Sequence, residues 1–312
     1  MTVWSPPTRT ACRSALRLGA LTSRRRSYTA AAAALNHCVE LVRAHDRERF
    51  LCNLHAPAAA RSGLFALHAF NYETARVRSA TSQESVGRAR LAWWRNALQD
   101  AIDGAPPDHP VAQALAHAHH RHGLTSRYLH QLVDAREADL RVQQPRDVEE
   151  VRQYCERTAG SLLLLGLECA GVSGSDAAER AASNAGTALG MATLLRGTAA
   201  HASQGCTYIP AEVTSRHGVR LTEMLRGNPS NELCDAVAEV ADEAVAHLLA
   251  ARSMRPDVPS EVRALLLPTV VADHILARLQ NCGYSPFAQE LHAPFGLSLQ
   301  CALLARRWTG YY

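Results

Sequence analysis

The sequence predicts an all-α protein, a helical bundle built as a single domain, and three of its features carry that expectation. Ala, Leu and Arg dominate while Phe, Trp and Tyr make up only 5% of the chain, a balance that suits helices better than strands. Apolar residues recur at three- and four-residue intervals through almost everything after residue 31, the period of a helix with one buried face. The interruptions fall on Gly and Pro, the residues that end helices and begin them.

Taken in order, segments 57–79, 84–103, 110–122 and 125–142 all follow the helical period. "DGAPPDHP" at 103–110, Gly123 and "QQPRD" at 143–147 separate them; Pro lacks a backbone N–H, and Gly readily adopts the left-handed closing conformation. Residues 147–171 read as one long apolar helix with a kink or close-packing point at Gly160 and Ser161. In the next helix, 174–196, Gly186 and Gly190 lie four apart and share a face, so a neighbouring backbone can approach it closely. Later helices are expected at 230–255, 260–280 and 297–308, with Pro256, Pro259, Pro286 and Pro294 at the joints. No internal repeat or long linker divides the chain, which puts residues 31–312 in one domain.

The first 39 residues contain no Asp, Glu or Lys but hold Arg9, Arg13, Arg17, Arg24, Arg25 and Arg26 among scattered Ser and Thr. A leader of this kind reads as a mitochondrial transit peptide over residues 1–28, drawn inward by the membrane potential; "RRRSYTA" has the form of a matrix-protease site. A basic tail is the alternative. The formal net charge is +4; without the six leader arginines the body is mildly acidic, so nothing in it calls for nucleic acid. Nine cysteines without a CxxC pair fit a reducing compartment and buried free thiols. The longest apolar run, "LLLLGLECAG", falls far short of the ~20 residues that span a bilayer, leaving only peripheral membrane contact.

Six blocks then occur in a telling order: "LFALHAFNYETARVRSA" (64–80), "LAWWRNALQD" (91–100), "HPVAQAL" (109–115), "DAREADL" (134–140), "YCERTAGSLLLLGLECAGV" (154–172) and "GTALGMATLLRGTAAHASQGCTYIP" (186–210). Their wording and spacing resemble the squalene/phytoene synthase family over about residues 38–285. The resemblance implies an isoprenoid-synthase-like bundle around a central cavity. Catalytic members of that family join two prenyl diphosphates, and two DxxxD motifs on facing helices hold the Mg²⁺ that neutralises the leaving group. Carboxylates are the hard oxygen ligands Mg²⁺ prefers, and side chains four apart on a helix converge.

At the matching positions this sequence has Ala75 and Ser79, then Gly197 and His201. Ala and Gly offer no ligand, Ser is a weak one, and imidazole is softer than Mg²⁺ prefers. Each missing carboxylate removes roughly 1–4 kcal/mol of attraction per unit of metal charge. Glu73 and Glu84 are too far apart in sequence to replace the first pair, and residues 180–211 contain no acid at all. The sequence therefore predicts a pseudoenzyme with no metal and no cofactor.

The retained frame gives Asn71, Trp94, Arg95, Asp139, Arg196 and Tyr208 as pocket candidates, beside Gly160, Ser161, Gly205 and Pro210. Helix packing is the competing role, particularly for Trp94 and Tyr208. Arg196, amid "MATLL", needs a buried acid or an anion, and Asp139 is the candidate partner. "HAHHRHG" at 117–123 offers His117 with His120, or His119 with His122, as metal pairs; the plainer reading is a helix C-terminus whose negative end suits imidazole.

"CVELVRAHDRERFLCNLHAP"-like wording at 38–57 and "ESVGRARLAWWRNALQD" at 84–100 narrow the resemblance to a divergent mitochondrial branch of the family, also without the aspartate pairs. Its members act in the assembly of respiratory complex I. That implies binding to complex I subunits or other assembly factors at an early stage, on the matrix side of the inner membrane. A prenyl lipid or quinone in the cavity is compatible with this. An active or metal-altered prenyltransferase, and a permanent subunit of a respiratory complex, are the alternatives.

Overall fold

Residues 31–81 and 83–312 are described by the computed structural model; the leader at 1–28 lies outside them. Helices make up the fold, with no strand among the described residues, as the periodicity predicts. The first, α1 (31–45), buries Ala34, Cys38 and Val42, four apart in sequence and therefore on one face. Then come α2 (Arg47–His55), α3 (Ala58–Ala75), α4 (Glu84–Ile102), α5 (Pro110–His122) and α6 (Ser126–Asp139). The chain continues through α7 (Val148–Cys155), α8 (Ser161–Cys169), α9 (Asp176–Arg196), α10 (Thr198–Ser203), α11 (Ala211–Arg216) and α12 (Leu221–Leu225). It closes with α13 (Asn231–Ser253), α14 (Pro268–Asn281) and α15 (Gly296–Thr309).

Local chemistry sets many of these boundaries. The side chains of Asp46, Asp147 and Ser230 accept hydrogen bonds from the backbone N–H groups of Arg49, Glu150 and Leu233, satisfying donors that a helix start leaves open. Gly123 closes α5 at φ 64°, the left-handed cap that a Cβ disfavours.

Two expected helices are interrupted. The kink at Gly160 and Ser161 takes the form of a π-turn, Glu156–Gly160, in which the Ser161 N–H reaches the Glu156 carbonyl. The expected helix at 260–280 is split into a 3₁₀ segment, Ser260–Leu266, and α14. Pro268 sits at the break and has no N–H to continue the ladder, while Leu267 before it keeps helical backbone at φ −55° and ψ −22°.

At the centre stands α9. It packs directly against α7, α8, α13, α14 and the turn between α7 and α8, and its two halves belong to the two different hydrophobic clusters. Small residues make this possible, with Ala178, Ala181, Ala182, Ala185, Ala188 and Ala192 all fully enclosed. At Gly186 an added Cβ would lie 2.4 Å from Gly160 Cα and 2.7 Å from the Ala159 carbonyl oxygen. The π-turn and α9 therefore meet backbone to backbone at this point.

Candidate functional site

Two neighbouring places attract the retained polar residues: a charged mouth where α6 ends, and a cavity beneath it. Asp139 anchors the mouth and is almost fully buried. Arg78 Nη1 lies 2.8 Å from Asp139 Oδ1, and the same guanidinium donates to the backbone carbonyls of Asp139 at 2.5 Å and Val142 at 2.6 Å. The Tyr208 hydroxyl donates to Asp139 Oδ2 at 2.5 Å, and the Tyr154 ring stacks on that of Tyr208 with centroids 5.5 Å apart. Burial and the Asp139 carboxylate push the Tyr208 phenol well above its ordinary range, so it stays a donor.

Ala75, Ser79, Gly197 and His201, the positions at which the resemblance places the two motifs, form no ligand set among the described residues. Helix α3 stops at Ala75, and Ser79 sits exposed in the following turn, its hydroxyl donating to the Arg76 carbonyl at 3.1 Å. The expected helix to residue 79 is therefore shorter. Gly197 marks the break between α9 and α10. Four residues on, the His201 ring lies against it: a Cβ at Gly197 would be 2.6 Å from His201 Cε1. Imidazole thus fills the space in which a side chain at 197 would begin. The same ring meets Tyr208 edge-on at 4.7 Å, and burial lowers its pKa to about 4. Among the described residues no group of three or more His, Cys, Asp or Glu is placed to hold a metal ion.

This ring gives the site a pH signature. His201 is held neutral, and His68, buried against the Asn53 amide at 3.0 Å, more firmly so, with a pKa lowered by burial to about 3. A folded-state pKa below the usual 6.5 means stability is complete above pH 6.5 and declines as pH falls towards 4, because the unfolded chain takes up the proton first. Thermal unfolding followed from pH 7 to 4 is expected to show this loss. His201→Phe is expected to remove about 2 kcal/mol of it; an unchanged pH slope would contradict the buried neutral ring.

Below the mouth, a cavity of about 300 Å³ is lined by Asp46, Glu48, Arg49, Asn71, Arg136 and Arg196, together with apolar residues from α8, α9 and α14. Arg196 is paired with Glu48 at 2.9 Å. This corrects the expected Arg196–Asp139 pair, because Asp139 is taken by Arg78. Asn71 Oδ1 accepts from Arg136 Nη2 at 3.2 Å. Trp94 and Arg95 lie elsewhere. Trp94 is buried edge-on to Phe70 and His109, at 5.5 and 5.0 Å, and Arg95 bridges Asp134 and Glu137 on the α4–α6 surface, both at 2.6 Å.

Of the four histidines, His117 and His120 are exposed while His119 and His122 are half-buried at the end of α5. Gly205 turns the chain at φ 75°, and Pro210 stands at the cap of α11. Between them Thr207 N donates to Gln143 O at 2.9 Å, which ties this loop to the one after α6.

The sequence reading missed Arg78 as the partner of Asp139, and it missed Asp46, Glu48, Arg49 and Arg136 altogether. The signal was present in "HDRERF" at 45–50, but a charged run ordinarily marks a solvated face.

Comparison with known proteins places this arrangement. The squalene/phytoene synthase family model matches residues 42–298. The chain belongs to the squalene/phytoene synthase family. Within it, the chain is similar to the human protein named "NADH dehydrogenase (ubiquinone) complex I, assembly factor 6", at 37% identity over 277 residues, 89% of this chain and 83% of the human one. The fold is shared with squalene synthase HpnC from Alicyclobacillus acidocaldarius, with a TM-score of 0.72 at 22% identity over 82% of this chain and 96% of that one. A dehydrosqualene synthase solved with a ligand superposes at a TM-score of 0.77 and 18% identity, covering 91% and 98%.

Proposed function

We propose that this chain is a non-catalytic assembly factor for mitochondrial respiratory complex I, acting early by binding subunits or other assembly factors. The observation that carries this reading is the mouth. Where a family enzyme needs carboxylates for Mg²⁺, this chain has Ala75, Ser79, Gly197 and His201. Asp139, the only buried carboxylate among the described residues, is bound to Arg78 and Tyr208, and the His201 ring fills the Gly197 side of the opening. Among the described residues no ligand cluster at the mouth is placed to anchor a divalent ion against a departing diphosphate. The names of the similar animal proteins support the assembly role, and the acid-free leader over residues 1–28 supports delivery to the mitochondrion.

Peripheral association with the matrix face of the inner membrane belongs to the same reading. No helix among the described residues is long and apolar enough to cross a membrane. On α15, however, Leu297, Cys301, Leu304 and Trp308 form an exposed stripe, with Trp308 90% exposed. The helix carries Arg306 and Arg307 and no acid. An apolar face ending in Trp beside arginines fits the boundary of an anionic bilayer.

The test is replacement of the endogenous protein in cells. The wild-type chain is expected to restore complex I on native gels, and so is a chain whose Arg95 surface bridge is removed by Arg95→Gln. Normal complex I in cells lacking the protein would defeat the assembly role. Purified Leu304→Ser/Trp308→Ser is expected to bind phosphatidylserine-containing vesicles about tenfold more weakly than wild type. Equal binding would remove α15 as the membrane contact.

A further inference from the structure

Helix α4 turns an unfinished face to solvent beside the end of α3. Val86, Arg90 and Trp93 follow one another at helical spacing, so they share a side, and Val86 and Trp93 are 41% and 44% exposed. Trp93 is held in place, its ring meeting Trp94 and His109 edge-on at 4.9 and 5.4 Å. A large aromatic fixed in this way gains from burial and loses little side-chain freedom on being covered.

The charges around it are unequal. Trp93, Glu73, Arg76 and Arg90 line a shallow cup of about 280 Å³ in which Glu73 is the only carboxylate. Glu73 lies 3.5 Å from Arg76, whose guanidinium also rests over the Tyr72 ring at 5.5 Å. Arg90 reaches the Ala80 carbonyl, at 3.5 Å, and has no carboxylate within ion-pair distance among the described residues. Glu84, the acid nearest to it in sequence, is shared by Arg88 and Arg141. Both arginines are open to solvent, so an approaching acid can reach them.

We propose that this face is a docking site for an acidic, partly apolar segment of a partner protein. Carboxylates of the segment meet Arg76 and Arg90 while an apolar side chain covers Trp93. Trp and Arg carry much of the binding energy where proteins meet. The cup is small for a free ligand, and Val86 extends the apolar face beyond it, which suits a segment laid along α4. A bilayer is the poorer fit, because the same face continues into exposed Asn96 and Asp100, and an acid there repels anionic lipid. The site names the chemistry of a partner and rests on the assembly role for that partner's being met.

The experiment uses the full chain in cells whose endogenous protein has been replaced. Trp93 is exchanged for photo-reactive benzoylphenylalanine, and adducts formed in intact mitochondria are mapped by mass spectrometry. The expected adduct is to a protein segment richer in Asp and Glu than in Lys and Arg. Its yield is expected to fall about tenfold in an Arg76→Gln/Arg90→Gln background. Arg226→Gln, which alters an exposed pair with Glu223, is expected to leave the yield unchanged.

With Trp93 in place, Arg76→Glu/Arg90→Glu is expected to lower complex I on native gels several-fold. The purified variant is expected to melt within about 2 °C of wild type, since both side chains are on the surface. Where it melts lower, the adduct yield of Arg76→Gln/Arg90→Gln carries the test. Reversing the acids of the mapped segment to Lys is expected to restore complex I with the reversed arginines. The site is overturned by no adduct, by an adduct to lipid or to an acid-poor segment, or by full complex I with the reversed arginines in cells that need the protein. Weaker binding of Arg76→Glu/Arg90→Glu to phosphatidylserine-containing vesicles would assign the face to the membrane and overturn it too. Normal complex I in cells lacking the protein defeats the assembly role and leaves the adduct to decide the site.

Discussion

Gly186→Ala is expected to destabilise the protein by about 3 kcal/mol or more, lowering Tm by roughly 6–12 °C, although Ala is the better helix former. The new methyl carbon would stand 2.4 Å from Gly160 Cα, 2.6 Å from Gly160 N and 2.7 Å from the Ala159 carbonyl oxygen. All three are backbone atoms of the π-turn segment, so no side chain can rotate away. Either α9 moves out or the turn between α7 and α8 moves back, and α9 is shared by both hydrophobic clusters. Gly190→Ala provides the graded comparison. Its Cβ would meet the Cβ and Sγ of Cys155 at 2.8 and 2.9 Å, and the thiol can shift, so a smaller loss is expected. Thermal unfolding of the two variants, monitored by circular dichroism, checks both the size and the order. A Gly186→Ala protein as stable as wild type would contradict the backbone contact.

That contact was partly legible in the sequence. The four-residue spacing of Gly186 and Gly190 places both on one face and predicts a close approach, because helical periodicity alone fixes which side chains share a side. What they approach was not legible. A π-turn inserts one extra residue into the helical repeat, and the sequence marks it only as a Gly–Ser pair at 160–161. The long helices were readable for the same periodic reason. Short α10, α11 and α12 were not, since five or six residues carry too little period to register. Helix α2 hid behind its charge: "RERFLCNLH" buries only Cys52 and Asn53 outright, and Glu48 and Arg49 line the cavity while Arg47 is exposed.

The site divides along the same line. That Ala75, Ser79, Gly197 and His201 carry no carboxylate is a matter of residue type and visible in the sequence. The pairing of charges is a matter of tertiary distance and was not visible. Arg196 finds Glu48, 148 positions away. Asp139, the partner that residue type favoured for it, is bound by Arg78, 61 positions away. Two arginines and two acids admit either pairing on paper; the positions of α2 and of the turn after α3 decide between them.

Asp139→Asn tests that decision, with an expected loss of 3–5 kcal/mol, the range for removing one partner of a buried ion pair and leaving the other uncompensated. The substitution keeps shape and volume, so the effect reports charge. Arg78 would remain 20% exposed at the side chain with its guanidinium facing two carbonyls and a neutral amide. Tyr208 would lose the anionic acceptor of its 2.5 Å hydrogen bond. The double variant Arg78→Met/Asp139→Asn is expected to recover most of the loss, since removing both charges leaves no uncompensated ion. A double variant no more stable than Asp139→Asn would mean that Asp139 stabilises the mouth through Tyr208 and not through Arg78. Recovery of stability without recovery of complex I on native gels would separate the two roles of the cluster: the ion pair would be replaceable as packing, while its charge would be required at the surface that a partner meets.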